Sequence, residues 1–246
     1  SITVSRFEIM IDVIKKDNIV VLNISQSNAT IPFCFEFEKE CKASIDDFTK
    51  VLVVTSDIEN FAPYCHVDNQ NDCIGLINTI LSIKIPVIAA IELEAQSCGL
   101  ELISACDIRI CRRDSKFSLK QIYDGIPLRG VTQILPKLIG KGRALDMILT
   151  SKEIDSIEAE NIGLISYIDK DSAINKAMSI AESIAENSAP IATKFVKEAI
   201  VNGVNMPIKQ GILFESDLNI ILHSTKDRTE GISSFIEGRP PKFKGE

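Results

Sequence analysis

Three stretches of the 246-residue chain carry side chains able to move a proton or hold an anion. The first is Ser97-Cys98-Gly99-Leu100-Glu101, within "AQSCGLELISACDIRIC" (95–111). It follows the apolar run "PVIAAIE" (86–92) by a short turn and opens a helix. The N–H groups of a helix's first turn have no partner within the helix and point outward, which suits an anion or a developing oxyanion. Gly99 lets a ligand approach the backbone. Glu101 falls in that first turn, where the helix dipole favours its charged form by less than about 1 kcal/mol. Such an acid is either a helix-stabilising charge or a proton carrier, and the local residues leave both open.

The second stretch is Phe61-Ala62-Pro63-Tyr64-Cys65-His66, which leaves an apolar strand and precedes a helix. Loops at strand ends are where α/β proteins place ligands. The same residues equally describe a surface loop with half-exposed Tyr64 and His66. The third, "KFSLKQIYDGIPLRGVTQILPKLIGKGRALDMILTS", carries Gln121, Tyr123, Asp124, a Gly-Ile-Pro turn and Gly130. Alone it says only strand end, loop and helix. The seven cysteines (34, 41, 65, 73, 98, 106 and 111) include no Cys-x-x-Cys pair, and there are two histidines, His66 and His223. Metal ligands are poorly supplied, so no metal is expected and the thiols read as small buried hydrophobes.

The elements that must position these residues follow from periodicity. "FEIMIDVI" and "NIVVLNI" flank the turn Lys15-Lys16-Asp17-Asn18 and read as an opening hairpin. "FCFEFEKECKASIDDF" reads as a short amphipathic helix, and "KVLVVTS" (50–56) and "PVIAAIE" as strands buried on both faces. Helices are expected around "CIGLINTILSIK" and over 97–105, then the strand "DIRICR". Strand, loop, helix, strand at this cadence means crossover units beside a sheet. "KGRALDMILTS", "SIEAENIGL" and "AINKAMSIAESIAENS" are helical in period, with "LISYID" a short strand between the last two. From Pro190 the pattern is almost wholly helical. Pro190 and Pro207 suit first-turn positions, Asp227 an N-cap, and Gly203 and Gly238 stops.

Composition excludes other classes. With 45% apolar residues, 25% charged and a net charge of −7, the chain reads as a single elaborated α/β unit without a basic footprint for nucleic acid. No apolar run reaches the roughly 20 residues of a membrane helix. "SITVSRFEIMIDVI" alternates like a strand rather than a signal peptide, and "FKGE" is not a peroxisomal signal. A cytoplasmic location is expected, or the mitochondrial matrix for a processed chain.

Taken in order, three blocks carry a likeness: "IPVIAAIELEAQSCGLELISACDIRICRRDSKFSLKQ", "GRALDMILTSKEIDSIEAENIGLI" and "TKDRTEGISSFIEGRPPKFKG". With them the chain resembles the crotonase superfamily, the enoyl-CoA hydratase/isomerase family, over nearly its whole length. The first sixty residues match less well and are a few residues short. The resemblance implies a crotonase-like α/β fold: a ββα spiral core (1–189) holding the acyl-CoA site, then a C-terminal helical section (190–246) that builds a trimer, often paired into hexamers. It implies an acyl-CoA thioester as partner, no cofactor beyond the coenzyme A of the substrate, and neither nucleic acid nor membrane.

By matching position, the backbone N–H groups of Cys65 and Cys98 are the expected oxyanion donors. The family usually has Ala or Gly at these places and Gly at Tyr64, so larger side chains here narrow the pocket or tilt the amide. Of the two glutamates used by hydratases, the first falls on Glu101. The second falls on Gln121, an amide that cannot exchange a proton at neutral pH but can orient a water or a substrate group. Asp124, or Tyr123, three and two residues on, are candidates to replace it, as is His66 beside the oxyanion loop. Phe61, Ala62, Tyr64, His66, Gly99 and Tyr123 are expected to line the substrate site. Phe235 and Arg239 are expected at the CoA end, although Gly238 stands where the family has Lys and Asn219 where it has an aromatic. His223 reads as an interface or surface residue. The implied reaction is reversible hydration of a 2-enoyl-CoA with Glu101 as acid and base. The alternatives are an isomerase, decarboxylase or hydrolase on the same scaffold, or a degenerate homologue that only binds acyl-CoA.

Overall fold

The computed structural model describes residues 8–27, 33–62 and 74–246. The hairpin forms from β1 (Glu8–Lys16) and β2 (Ile19–Ser27), antiparallel around a tight turn at Asp17, whose φ is +51°. Helix α1 (Phe33–Ser44) leads into β3 (Val51–Ser56), which lies parallel to β2. Helix α2 (Ile74–Ser82) leads to β4 (Val87–Ile91), again parallel.

From β4 onward the chain alternates between two sheets. β4 lies in a six-stranded sheet and the next strand, β5 (Glu94–Gln96), in a three-stranded one; α3 (Cys98–Ala105) follows. The pattern repeats with β6 (Ile108–Arg112) in the large sheet and β7 (Lys116–Ser118) in the small one, then α4 (Val131–Ile139) and α5 (Lys141–Leu149). A third passage gives β8 (Ile154–Asp155) in the small sheet, α6 (Ser156–Asn161), and β9 (Tyr167–Asp169) at the edge of the large one. The strand orders are β1-β2-β3-β4-β6-β9 and β5-β7-β8. This is the expected crotonase-like spiral.

The large sheet is covered on both faces, and its central strands β3 and β4 are buried along their whole length. Ile19, Val21, Val51, Val53, Ile88, Ala90 and Ile110 face α7 (Ala173–Asn187). Their neighbours Val20, Leu22, Leu52, Val54, Val87 and Ala89 join the main core with α1, α2 and α3. Helix α7 presents Ala173, Ala177, Ala181 and Ala185, one per turn and all buried, so its backbone rests close on the sheet. Glu92 fixes its start, accepting from Ile174 N at 2.8 Å and Ser172 Oγ at 3.0 Å.

Three helices close the chain: α8 (Pro190–Gly203), α9 (Ile208–Leu222) and α10 (Lys226–Glu237). Pro190 takes the first helical position, but Pro207 is the N-cap of α9 rather than a first-turn residue. Asp227 is not the N-cap of α10 either. Thr225 fills that place, its hydroxyl accepting from Arg228 N at 3.3 Å. The buried Asp227 carboxylate instead takes the tail amides of Lys244 and Gly245, at 2.7 and 2.8 Å. Gly238 ends α10 at φ +66°.

Candidate active site

The first turn of α3 is the centre of the site. All eight residues of this helix are buried. Ser97 precedes it at φ +51°, ψ −114°, a conformation that costs a non-glycine residue about 1–3 kcal/mol and is found where surrounding structure enforces it. The enforcing contacts are local. Ser97 N donates to Ser118 O at 2.9 Å in the β5–β7 pairing, and Ser97 O accepts the first helical bond from Glu101 N at 3.0 Å. Cys98 thus stands at the helix start, ahead of that first bond.

The loop after β3 is laid against the same turn. Phe61 N donates to Glu94 O at 2.7 Å, and Glu94 N to Glu59 O at 3.1 Å. Asn60 clamps the strand beside it, accepting from Gln96 N at 2.8 Å and donating to Gln96 O at 3.2 Å. Phe61 and Ala62 are buried. Gly99 is required by this closeness: a Cβ there would stand 2.7 Å from Asn60 Oδ1 and 3.2 Å from Ala62 N. The segment leading toward Cys65 and the segment holding Cys98 therefore run side by side. Tyr64, Cys65 and His66 lie outside the described residues.

Glu101 is 4% exposed, and its Oε1 accepts from Arg129 N at 2.9 Å. A backbone N–H held on a carboxylate fixes the carboxylate's orientation. Gln121 lies in the same excursion of chain. That excursion leaves β7 at Ser118, bonded to Ser97, and returns at Arg129, bonded to Glu101. Both ends are therefore stapled to one turn of α3. Between them, the amide of Ile126 donates to Gln121 O at 2.9 Å and closes a turn. Ile122, Tyr123, Asp124 and Gly125 are exposed on it while Gln121 is 2% exposed, so the glutamine alone of these five is turned inward. Among the described residues neither Oε1 nor Nε2 of Gln121 has a hydrogen-bond partner.

The other candidates are placed differently. Asp124 sits on the exposed turn. The Tyr123 hydroxyl donates to Thr150 O at 2.7 Å, on the outer side of the loop. Phe235 is 87% exposed on α10, and the Arg239 guanidinium is held by Glu230 and Glu237 of its own chain. His223 caps the C-terminal end of α9. Burial pushes the thiols of Cys41, Cys106 and Cys111 up to about 12, so they behave as packing groups. Among the described residues no group of three or more His, Cys, Asp or Glu could hold a metal.

Residues 63–246 match the family model described as enoyl-CoA hydratase/isomerase. The chain belongs to that family. A mitochondrial methylglutaconyl-CoA hydratase of Mus musculus is 37% identical over 178 residues, covering 70% of this chain and 56% of that protein. An (E)-benzylidenesuccinyl-CoA hydratase of Thauera aromatica is 40% identical over 163 residues, covering 65% and 63%. The match thus spans little more than half the length of these curated relatives. The crystal structure of an enoyl-CoA hydratase from Bacillus anthracis superposes with a TM-score of 0.83 at 31% identity, covering 97% of this chain and 99% of that one.

Arg129 went unnoticed in the sequence. It is 7% exposed and supplies the N–H on Glu101, yet in "PLRG" it looks like an ordinary loop cation. Backbone donors leave no trace in residue type.

Proposed function

We propose that the protein hydrates a 2-enoyl-CoA reversibly, with Glu101 as the proton carrier. The observation that carries this reading is the buried Glu101 carboxylate held by Arg129 N, one turn into a helix whose start faces the loop after β3. The N–H groups of Cys98 and Cys65 would hold the thioester oxygen while negative charge develops on it. Water oxygen bonds to Cβ, Glu101 takes a proton from that water, and the proton is delivered to Cα as the enolate collapses. The atoms balance with one carboxylate because the proton lost by water is the one gained by carbon. Gln121, inward and uncharged, would orient the water rather than exchange a proton with it. Asp124, Tyr123 and His66 stay as proposed auxiliaries, and Phe61, Ala62, Tyr64 and Gly99 as the acyl-thioester lining. No cofactor beyond substrate coenzyme A is needed.

The direct test is the loss of enoyl-thioester absorbance when purified protein meets crotonyl-CoA. Turnover is expected, and Glu101→Gln should lower it by about 10²–10⁴-fold, the usual worth of a positioned acid–base group. Absence of turnover with wild type would overturn hydration. A double-bond isomerase is the second reading, favoured by the non-titratable Gln121, because moving a double bond requires only one carboxylate.

Assembly as a homotrimer or dimer of trimers is supported by the closing helices. Val196, Ile200, Ile208, Ile212, Leu213 and Ile220 are each more than half exposed, and no residue of α8 is fully buried within the chain. Phe235 and Arg239 would then meet CoA across or beside that interface. A cytoplasmic or matrix location fits the described residues, among which no helix is long and apolar enough to cross a membrane.

A further inference from the structure

Arg129 poses a problem that the hydration reading does not solve. Its backbone N–H serves Glu101, but its side chain is buried with it, the residue being 7% exposed. Among the described residues no carboxylate forms an ion pair with the guanidinium and no acceptor is hydrogen-bonded to it. The chain shows how it handles such a group elsewhere: the buried Arg109 donates to Leu164 O at 2.6 Å and also to Cys106 O. Arg129 receives no such treatment. The same excursion carries Gln121, also buried, with both amide atoms unpaired. A guanidinium with no protein partner among the described residues and a buried amide with none, on one segment stapled to one turn of α3, mark an interior prepared for a polar ligand.

We propose that the Arg129 guanidinium recognises a carboxylate on the acyl group, so that the substrate is an enoyl-CoA bearing a second, distal carboxylate. This rests on the reading that an acyl-CoA binds at α3. The reacting carbons must lie by Glu101, whose carboxylate touches the Arg129 backbone, so a cation there meets the acyl portion. The phosphates of CoA lie at the far end of the pantetheine arm from that point. A planar guanidinium pairs with a carboxylate through two parallel hydrogen bonds, and the inward amide of Gln121 offers further donors beside it.

The test compares crotonyl-CoA with glutaconyl-CoA, which share the CoA phosphates and differ by the terminal carboxylate. Wild type should favour glutaconyl-CoA in kcat/KM by about 10²-fold, the scale of a buried charge pair. Arg129→Met should bring that ratio to near one, and Arg129→Lys should restore part of it. A wild-type preference for crotonyl-CoA would overturn the proposal. So would an equal loss for both substrates in Arg129→Met, which would mean that the guanidinium serves only Glu101 or a CoA phosphate. A binding arm needs no variant and no turnover: saturated glutaryl-CoA should raise the melting temperature of wild type more than butyryl-CoA does. Equal shifts would overturn the proposal, whereas unequal shifts without hydration of either enoyl ester would retain it and sink the hydratase reading instead.

Discussion

Two places in the molecule tie a loop onto the start of a helix, and they do so in opposite ways. At the C-terminal end, the tail after α10 folds back on that helix with its polar groups paired. Asp227 takes the amides of Lys244 and Gly245, Glu230 takes both the Arg239 guanidinium and Lys242 N, and Glu246 O accepts from Lys226 N at 2.7 Å. The excursion between β7 and α4 is also stapled to a helix start, at Ser97 and Glu101, yet it buries Ser118 Oγ and both amide atoms of Gln121 without partners. Buried polar groups are nearly always paired in folded proteins. A satisfied cluster is explained by the fold; the unsatisfied one beside α3 is read, under the proposal above, as prepared for what the fold receives.

The comparison is sharpened most by removing the best-satisfied group. Asp227→Ala deletes a buried carboxylate that holds two N–H groups, and should destabilise the protein by about 2 kcal/mol. Denaturant unfolding reads this as a lower midpoint at unchanged slope. The tail should become sensitive to carboxypeptidase in parallel. A midpoint that does not move would mean that the tail clamp adds nothing and that pairing alone does not separate the two places.

The converse substitution is smaller and opposite in sign. Gln121→Leu replaces an unpaired buried amide by an apolar group of similar size, so the ligand-free protein should gain about 1 kcal/mol in stability. Hydration of its best enoyl-CoA should meanwhile fall by about 10-fold, the worth of one neutral hydrogen bond in the transition state. A variant that loses stability would show that the amide is satisfied in the folded protein, and the contrast with Asp227 would collapse.

How legible these places were depends on what each signal is made of. The strands β3 and β4 announce themselves, because burial on both faces demands unbroken apolar runs such as Val51–Val54 and Val87–Ile91. β5, β7 and β8 are three, three and two residues long, too short for a period of two to register, although they place Ser97 and Gln121. Glu101 and Gln121 are singled out by the resemblance of their surroundings, whereas the polarity of "SCGLE" alone leaves the acid's role open. Arg129 was missed because its contribution to Glu101 is a backbone N–H. Asp227 was misread as a cap because its partners lie 17 and 18 residues away, beyond the reach of any local rule. Local chemistry is legible where the partner is a neighbour; sites are assembled from partners that are not.

The smallest expected effect concerns pH, and it isolates the tail. The side-chain bonds from Arg239, and then the Lys242 amide, hold the Glu230 carboxyl down to about 2. A carboxyl lowered in the folded state adds stability above its unfolded value near 4 and loses that contribution as pH falls toward the folded value. The clamp should therefore be fully formed at pH 5 and loosen between about pH 4 and pH 2. Because the Glu230–Arg239 pair is open to solvent, its effect on global unfolding should be slight and should shrink further with added salt. Amide hydrogen exchange at Lys242, corrected for its intrinsic pH dependence, would follow the loosening directly, and Glu230→Gln should abolish the pH dependence while leaving exchange in the first turn of α3 unchanged. Protection at Lys242 that persists unaltered to pH 2 would mean that the tail is held by packing alone, and that the satisfied half of the comparison owes nothing to charge.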